Sequence, residues 1–138
     1  MPDQHTSEVR FINPPELESP PGYSHVVEVR ASRLIFLAGQ AALDADGKLV
    51  GGADLEAQAE RAFKNLSLAL ASVGCTAANL VKLTVFVRDM TRLTDYRRAR
   101  DRFFQSVKPH AAPAITLVEV SRLFAEGLLI EIEGIAAA

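Results

Sequence analysis

The segment between Asp54 and Gly74 carries one continuous apolar stripe at helical spacing, and this stripe constrains the fold more than any other part of the sequence. Asp54 is a favoured N-cap residue and Gly74 a favoured helix stop, so we predict a helix that runs to about Val73. Its apolar side consists of Leu55, Ala59, Ala62, Phe63, Leu66, Ala69, Leu70 and Val73. Because one face alone is apolar, the helix must pack against another layer with that face.

The segments around this helix are predicted strands. A first strand over Glu8–Ile12 is followed by a loop rich in proline and glycine. Residues 25–31 and 33–41 are predicted to pair as a hairpin whose second strand is buried on both faces. Three more segments rich in β-branched or apolar residues complete the strands: 79–87, 114–120 and 128–135.

Residues 93–107 form a second predicted helix, which Lys108-Pro109 ends. Its apolar side consists of Tyr96, Ala99, Phe103 and Val107. Its other positions are rich in arginine: Arg92, Arg97, Arg98, Arg100 and Arg102. We interpret these arginines as a solvated face with Arg97–Asp101 and Asp95–Arg98 pairs. Anion binding by one of them is the alternative.

The predicted order is β, β-β, α, β, α, β-β within one domain over residues 1–138, of which 1–19 supply an N-terminal strand and loop. Two helices that each bridge strands favour an α/β fold of the α+β two-layer type, with a mixed sheet and both helices on one face. The opposite face of the sheet then has no cover within the chain. We therefore predict a homo-oligomer in which another subunit covers it.

Composition limits the function classes. The 138 residues are 49% hydrophobic and 23% charged, with a formal net charge of -2, which argues against a general nucleic-acid binder. The single cysteine, Cys75, excludes an intrachain disulfide and is interpreted as a structural thiol. No apolar run resembles a signal peptide or a membrane span, so a cytoplasmic location is expected.

Few residues suggest catalytic chemistry. His5, His25 and His110 are scattered without partners at ligand spacing, so no metal is expected. Two glutamates near the C-terminus remain: alternation places Glu131 and Glu133 on one strand face and the neighbouring isoleucines on the other. Both glutamates face water, or one lies at a subunit contact, where burial raises its pKa and lets it polarise water or donate a proton.

Six motifs, in order, resemble the Rid (YjgF, reactive intermediate deaminase) family: 21–25 (PGYSH), 37–40 (LAGQ), Gln58 with Asn65-Leu66, 83–90 (LTVFVRDM), Pro113-Ala114 and 130–136 (IEIEGIA). The resemblance covers residues 20–136. It implies a chorismate-mutase-like fold and a homotrimer with small-molecule clefts between subunits. It also implies hydrolysis of 2-imino acids to 2-keto acids and ammonia without a metal or cofactor.

The resemblance assigns the family's cleft tyrosine to Tyr23 and its water-positioning glutamate to Glu131. It also assigns substrate contacts to four positions, three of which depart from the family pattern. The unchanged position is Gly39. At the other three, Ala38 replaces a serine, Arg97 replaces an asparagine, and Ile115 replaces the arginine that binds, or clamps, the substrate carboxylate.

Loss of this clamp predicts a divergent hydrolase-deaminase of imines, enamines or related carbonyl compounds, weak on 2-imino acids. Arg97 is the first candidate to replace the clamp, with Arg100 and Arg122 as others. The alternative is a non-catalytic trimer that binds or senses a small molecule. A ribonuclease role fits poorly with an acidic chain.

Overall fold

The computed structural model describes residues 7–138, so His5 and the first residues lie outside the description. The elements of this part are β1 (Glu8–Ile12), β2 (Val26–Arg30), β3 (Leu34–Ala41), α1 (Leu55–Ala71), β4 (Leu80–Val87), α2 (Leu93–Gln105), β5 (Ala114–Glu119) and β6 (Ile130–Ala137). All the predicted elements are present, with both helices one or two residues shorter than predicted.

Four of the strands form a mixed sheet in the order β3-β6-β4-β5. β4 and β5 are parallel, whereas β6 is antiparallel to both of its neighbours. The predicted mixed sheet is therefore confirmed.

The predicted hairpin of β2 and β3 is wrong. β2 pairs with β1 in a separate two-stranded sheet, and β3 pairs with the C-terminal strand β6. Arg33 and Ala138 close this second pairing with reciprocal backbone hydrogen bonds of 2.9 and 3.0 Å. Alternation indicates that a segment is a strand but carries no information on its partner, and the nearer strand in sequence is not the one that β3 meets.

Both helices cover the same face of the four-stranded sheet, as predicted. The Asp54 carboxylate caps α1 by accepting a hydrogen bond from the Ala57 amide at 3.3 Å. The apolar stripe of α1 is buried against the sheet through Phe63, Leu66 and Leu70, and Cys75 is buried in the same core.

The other face of the sheet is open, which confirms the layer count. β3 is predicted to be buried on both faces, but within a single chain only one face is buried: Leu34 and Phe36 are 59% and 73% exposed. These side chains alternate with Ile35 and Leu37, which pack against or within the core. A sheet face with large apolar side chains at β3 therefore lies uncovered in a single chain.

Candidate functional site

Glu131 lies on the open face of β6, beside a gap left by Gly39 on β3. Ile130 and Ile132 are fully buried in the core, so the predicted facing of the strand is confirmed. Glu131 is half-buried and Glu133 is exposed. A Cβ at position 39 would lie 2.7 Å from Cδ and 2.8 Å from Cγ of Glu131, so a larger residue there would force the Glu131 side chain out of this position.

An irregularity in strand pairing creates this arrangement. Leu37 is paired with Gly134 and Gln40 with Ile132, so β3 has one extra residue between these pairs. The bulge contains Ala38 and Gly39, both of which the sequence resemblance assigned to the substrate site. The structure thus brings Ala38, Gly39 and Glu131 together on neighbouring strands.

The surroundings of Glu131 raise its pKa. Burial contributes most, because it penalises the charged form, and the nearby Glu133 carboxylate adds to the effect. A carboxyl group whose pKa is raised takes up and releases a proton closer to neutral pH than an ordinary glutamate does. This property suits exchange of protons with water or with a reacting nitrogen.

Two side-chain amides from α1 hold the backbone near Glu131, one just before β6 and one on the neighbouring strand β3. The Oε1 atom of Gln58 accepts from the Leu129 amide at 2.8 Å, and its Nε2 donates to the Gly52 and Gly127 carbonyl oxygens at 2.7 and 2.9 Å. Asn65 donates at 2.9 Å to the carbonyl oxygen of Ala41, which pairs with Glu131 across the strands. In the sequence, Gln58 and Asn65 are noticed only as part of the family motifs, and their hydrogen bonds are not predicted.

Tyr23 belongs to a second group of residues, at the other edge of the sheet. The amide of its neighbour Ser24 donates to the Pro113 carbonyl oxygen at 3.2 Å, which ties this loop to the start of β5. The Tyr23 ring meets His25 edge-on, at 5.6 Å between centroids. Tyr23 lines an open recess of about 860 Å³ against the end of α2 and residues 110–112.

Ile115 faces the helix layer rather than the open face. It pairs with the buried Leu83 of β4 and packs against the core. The position at which the resemblance expects an arginine clamp is therefore apolar and partly enclosed.

The arginines of α2 differ from the predicted solvated face. Arg97 is exposed, and the Asp95–Arg98 pair is present at 3.3 Å. The predicted Arg97–Asp101 pair is wrong, because Asp101 accepts from Arg100 at 2.9 Å instead. Arg100 is 6% exposed, and the helical pattern of apolar residues gave no sign of its burial.

Within one chain these two groups of residues do not meet. Neighbouring strands lie about 4.8 Å apart, so β3 and β5, separated by β6 and β4, are roughly 14 Å apart. Glu131 and Ile115 also face opposite sides of the sheet. In a single chain the predicted site residues therefore form two separate groups.

Within residues 7–138, no three side chains of the metal-binding types are grouped so that they could hold an ion. In the same range no helix is both long and apolar enough to cross a membrane.

The model of the Endoribonuclease L-PSP family matches residues 15–138. The crystal structure of the Rid protein YyfB from Yersinia pestis superimposes with a TM-score of 0.80 at 35% identity, covering 94% of this chain and 98% of that one. This chain belongs to the YjgF/Rid family. Protein DfrA of Myxococcus xanthus is 37% identical over 115 residues, 83% of each chain. A RutC family protein of Haemophilus influenzae is 34% identical, over 81% of this chain and 85% of its own. The Rid fold thus spans nearly the whole chain.

Proposed function

We propose that this Rid protein is a cofactor-independent hydrolase-deaminase of imines, enamines or related carbonyl compounds, with Glu131 as its acid-base group. The observation that carries the proposal is the half-buried Glu131 carboxylate, which lies on an uncovered sheet face with a raised pKa and occupies the space that a side chain at position 39 would take. A carboxylate that served only as solvated strand surface would not require this gap.

The active unit is a homotrimer with clefts between subunits. Two observations support this assembly: the large apolar side chains of Leu34 and Phe36 are exposed on the open sheet face, and the predicted site residues lie at opposite sheet edges. A neighbouring subunit that covers the open face can bring its Tyr23 and Ile115 to the Glu131 side of the first chain. The two partial sites then make one cleft.

In this cleft Glu131 accepts a proton from water as the water oxygen bonds to the imine carbon. The electron pair of the C=N bond moves to nitrogen, which receives the proton, and a carbinolamine forms. Release of ammonia breaks the C–N bond while the hydroxyl group loses its proton and becomes the carbonyl. The balance is imine plus water giving carbonyl compound plus ammonia, without an oxidant or reductant.

Ile115 limits the substrates. A 2-imino acid presents a carboxylate, to which an isoleucine offers neither charge nor a forked pair of donors. Removal of one partner from such a buried pair costs about 2–5 kcal/mol. Neutral imines, or acids bound by another cation, are therefore preferred over 2-iminobutanoate. Escherichia coli TdcF, which shares the fold at 23% identity and a TM-score of 0.70, binds serine.

The test generates 2-iminobutanoate in situ with a threonine dehydratase and follows its loss above the spontaneous rate. We expect slow turnover by the wild type, at least roughly tenfold below that of an arginine-bearing relative, and none above background in Glu131→Gln. Ile115→Arg should raise the rate. Wild-type turnover as fast as the relative's would disprove the role of Ile115, and full activity in Glu131→Gln would disprove the role of Glu131.

The second candidate is a non-catalytic trimer that binds or senses a small molecule. Ile115 and Ala38 favour it, because both remove polar groups that the family resemblance places on the substrate. A panel of neutral imines decides between the two: turnover of any of them that depends on Glu131 supports the enzyme, and binding without turnover supports the sensor.

A further inference from the structure

Arg100 is a buried cation with an incomplete set of partners. Its Nε and Nη2 donate to one oxygen of Asp101, at 3.0 and 2.9 Å. The Asp101 side chain is 66% exposed, whereas that of Arg100 is 8% exposed. A guanidinium keeps its charge at any ordinary pH, so burial is favourable only when a well-placed anion balances it. The Asp101 carboxylate is largely in water, so it balances the charge of the Arg100 guanidinium poorly.

Two buried hydroxyl groups, one on α2 and one on the loop that follows Gly22, have no hydrogen-bond partner of standard geometry among the described residues, although Arg100 is close enough to Tyr96 to oppose in part the rise in its pKa. They belong to Ser24 and Tyr96, each 1% exposed. Leaving a buried hydroxyl unpaired is costly, and such groups are usually explained by a water molecule or a ligand. The Arg100 guanidinium carbon lies 5.8 Å from the centre of the Tyr96 ring. Burial raises the pKa of Tyr96 to about 12, so its hydroxyl remains a donor at neutral pH.

Gly22 brings the loop that carries Ser24 onto the guanidinium. Its φ of +82° is in the region that glycine adopts freely, and a Cβ there would lie 2.6 Å from Nη2 of Arg100. The hydrogen bond from Ser24 to Pro113 fixes the same loop two residues before Ile115. The Arg100 side chain thus lies against the loop at Gly22, which also carries Tyr23 and Ser24 and is tied to the residue before β5.

We propose that Arg100, with the hydroxyl groups of Ser24 and Tyr96, binds the carboxylate of a small organic acid. The inference rests on the proposed function in that we take this acid to be a substrate or product of the Tyr23 recess. An ionised carboxylate accepts from a guanidinium and from two hydroxyls, and its single charge matches one buried arginine. The ligand carboxylate displaces Asp101, which moves into water.

Two arginines on either side of Arg100 already have carboxylate partners, and Arg97 is exposed rather than buried. Arg98 is paired with Asp95 and Glu56, and Arg102 with Glu56 and Glu60. Arg100 approaches from α2, whereas a clamp at position 115 would come from β5. It therefore supplies the missing charge from a different direction, which is compatible with slow turnover of 2-iminobutanoate.

The experiment measures pyruvate binding by isothermal titration calorimetry, with methyl pyruvate as the neutral probe. We expect pyruvate to bind the wild type and to bind Arg100→Met at least about tenfold more weakly, since a hydrogen bond to a charged group contributes this much. Ser24→Ala and Tyr96→Phe should each weaken binding a few-fold. Asp101→Asn should tighten it, because the internal competitor loses its charge. Arg10→Met removes an exposed arginine on β1 and should bind like the wild type.

The proposal is overturned if the wild type does not bind pyruvate, if methyl pyruvate binds equally well, or if Asp101→Asn and Arg100→Met both leave binding unchanged. Should Arg100→Met fail to fold by circular dichroism, the two hydroxyl variants and Asp101→Asn decide. Binding does not require turnover, so the two proposals fail separately. Pyruvate binding without imine hydrolysis would disprove the hydrolase proposal and support the carboxylate site. Imine hydrolysis that does not depend on Arg100 would support the hydrolase and disprove the carboxylate site.

Discussion

At position 39 the requirement for glycine comes from another residue, the Glu131 side chain that fills the space of a Cβ. We expect Gly39→Ala to destabilise the fold by about 1–3 kcal/mol, as overpacking of an occupied site does. The penalty should shrink in a Glu131→Ala background, where the space is free. Urea denaturation of the wild type, the two single variants and the double variant measures the coupling free energy between positions 39 and 131. An equal penalty in both backgrounds would contradict the contact.

The raised pKa of Glu131 makes stability depend on pH. Because the folded chain holds this proton more tightly than the unfolded chain, the contribution is complete below the unfolded pKa and is lost as pH rises through the folded pKa. Glutamine mimics the protonated form at every pH. We therefore expect Glu131→Gln to gain stability relative to the wild type between about pH 4 and about pH 7. Thermal unfolding of both proteins at both pH values tests this prediction. A stability difference between variant and wild type that does not change with pH would contradict it.

At the scale of elements, Gln58 joins α1 to the segment that leads into β6. Gln58→Met keeps the volume but removes three hydrogen bonds, leaving the Leu129 amide and the Gly52 and Gly127 carbonyls without this partner. We expect a loss of about 2–4 kcal/mol in the free energy of unfolding. The matched control is Gln105→Met at the exposed end of α2, which should change stability little. Comparable losses in both variants would refute a specific role for Gln58.

The elements differ in how far the sequence predicts them. The stripe of α1 and its cap at Asp54 are local features, so periodicity and N-cap preference were sufficient. The partner of β3 is not local: its pairing with the C-terminal strand depends on contacts about 100 residues away. Arg100 was among the candidate arginines, but its burial was missed for a related reason: helical patterns count apolar side chains and cannot show that the loop at Gly22 packs against a guanidinium. Glu131 was located by alternation together with the family resemblance.

At the scale of the whole molecule, the open face predicts assembly. We expect sedimentation equilibrium to give three chains of 14.9 kDa each in dilute solution. Phe36→Glu places a charge on the open face and should shift the protein toward monomer, since a buried unpaired charge is costly. Val73→Glu is the control and should leave the assembly intact: Val73 was predicted to lie on the apolar stripe of α1, but it follows the end of that helix and is exposed. A stable wild-type monomer would remove the basis for a shared cleft.

The separation of the predicted site residues onto opposite sheet edges has a genetic consequence. If each cleft joins the Tyr23 edge of one chain to the Glu131 edge of the next, a chain defective at one edge still offers an intact other edge. Two inactive variants, Tyr23→Phe and Glu131→Gln, should then complement each other when their subunits are mixed and reassembled. In every mixed trimer one of the three clefts would combine two intact edges. Alleles of this gene that are null alone would restore function together.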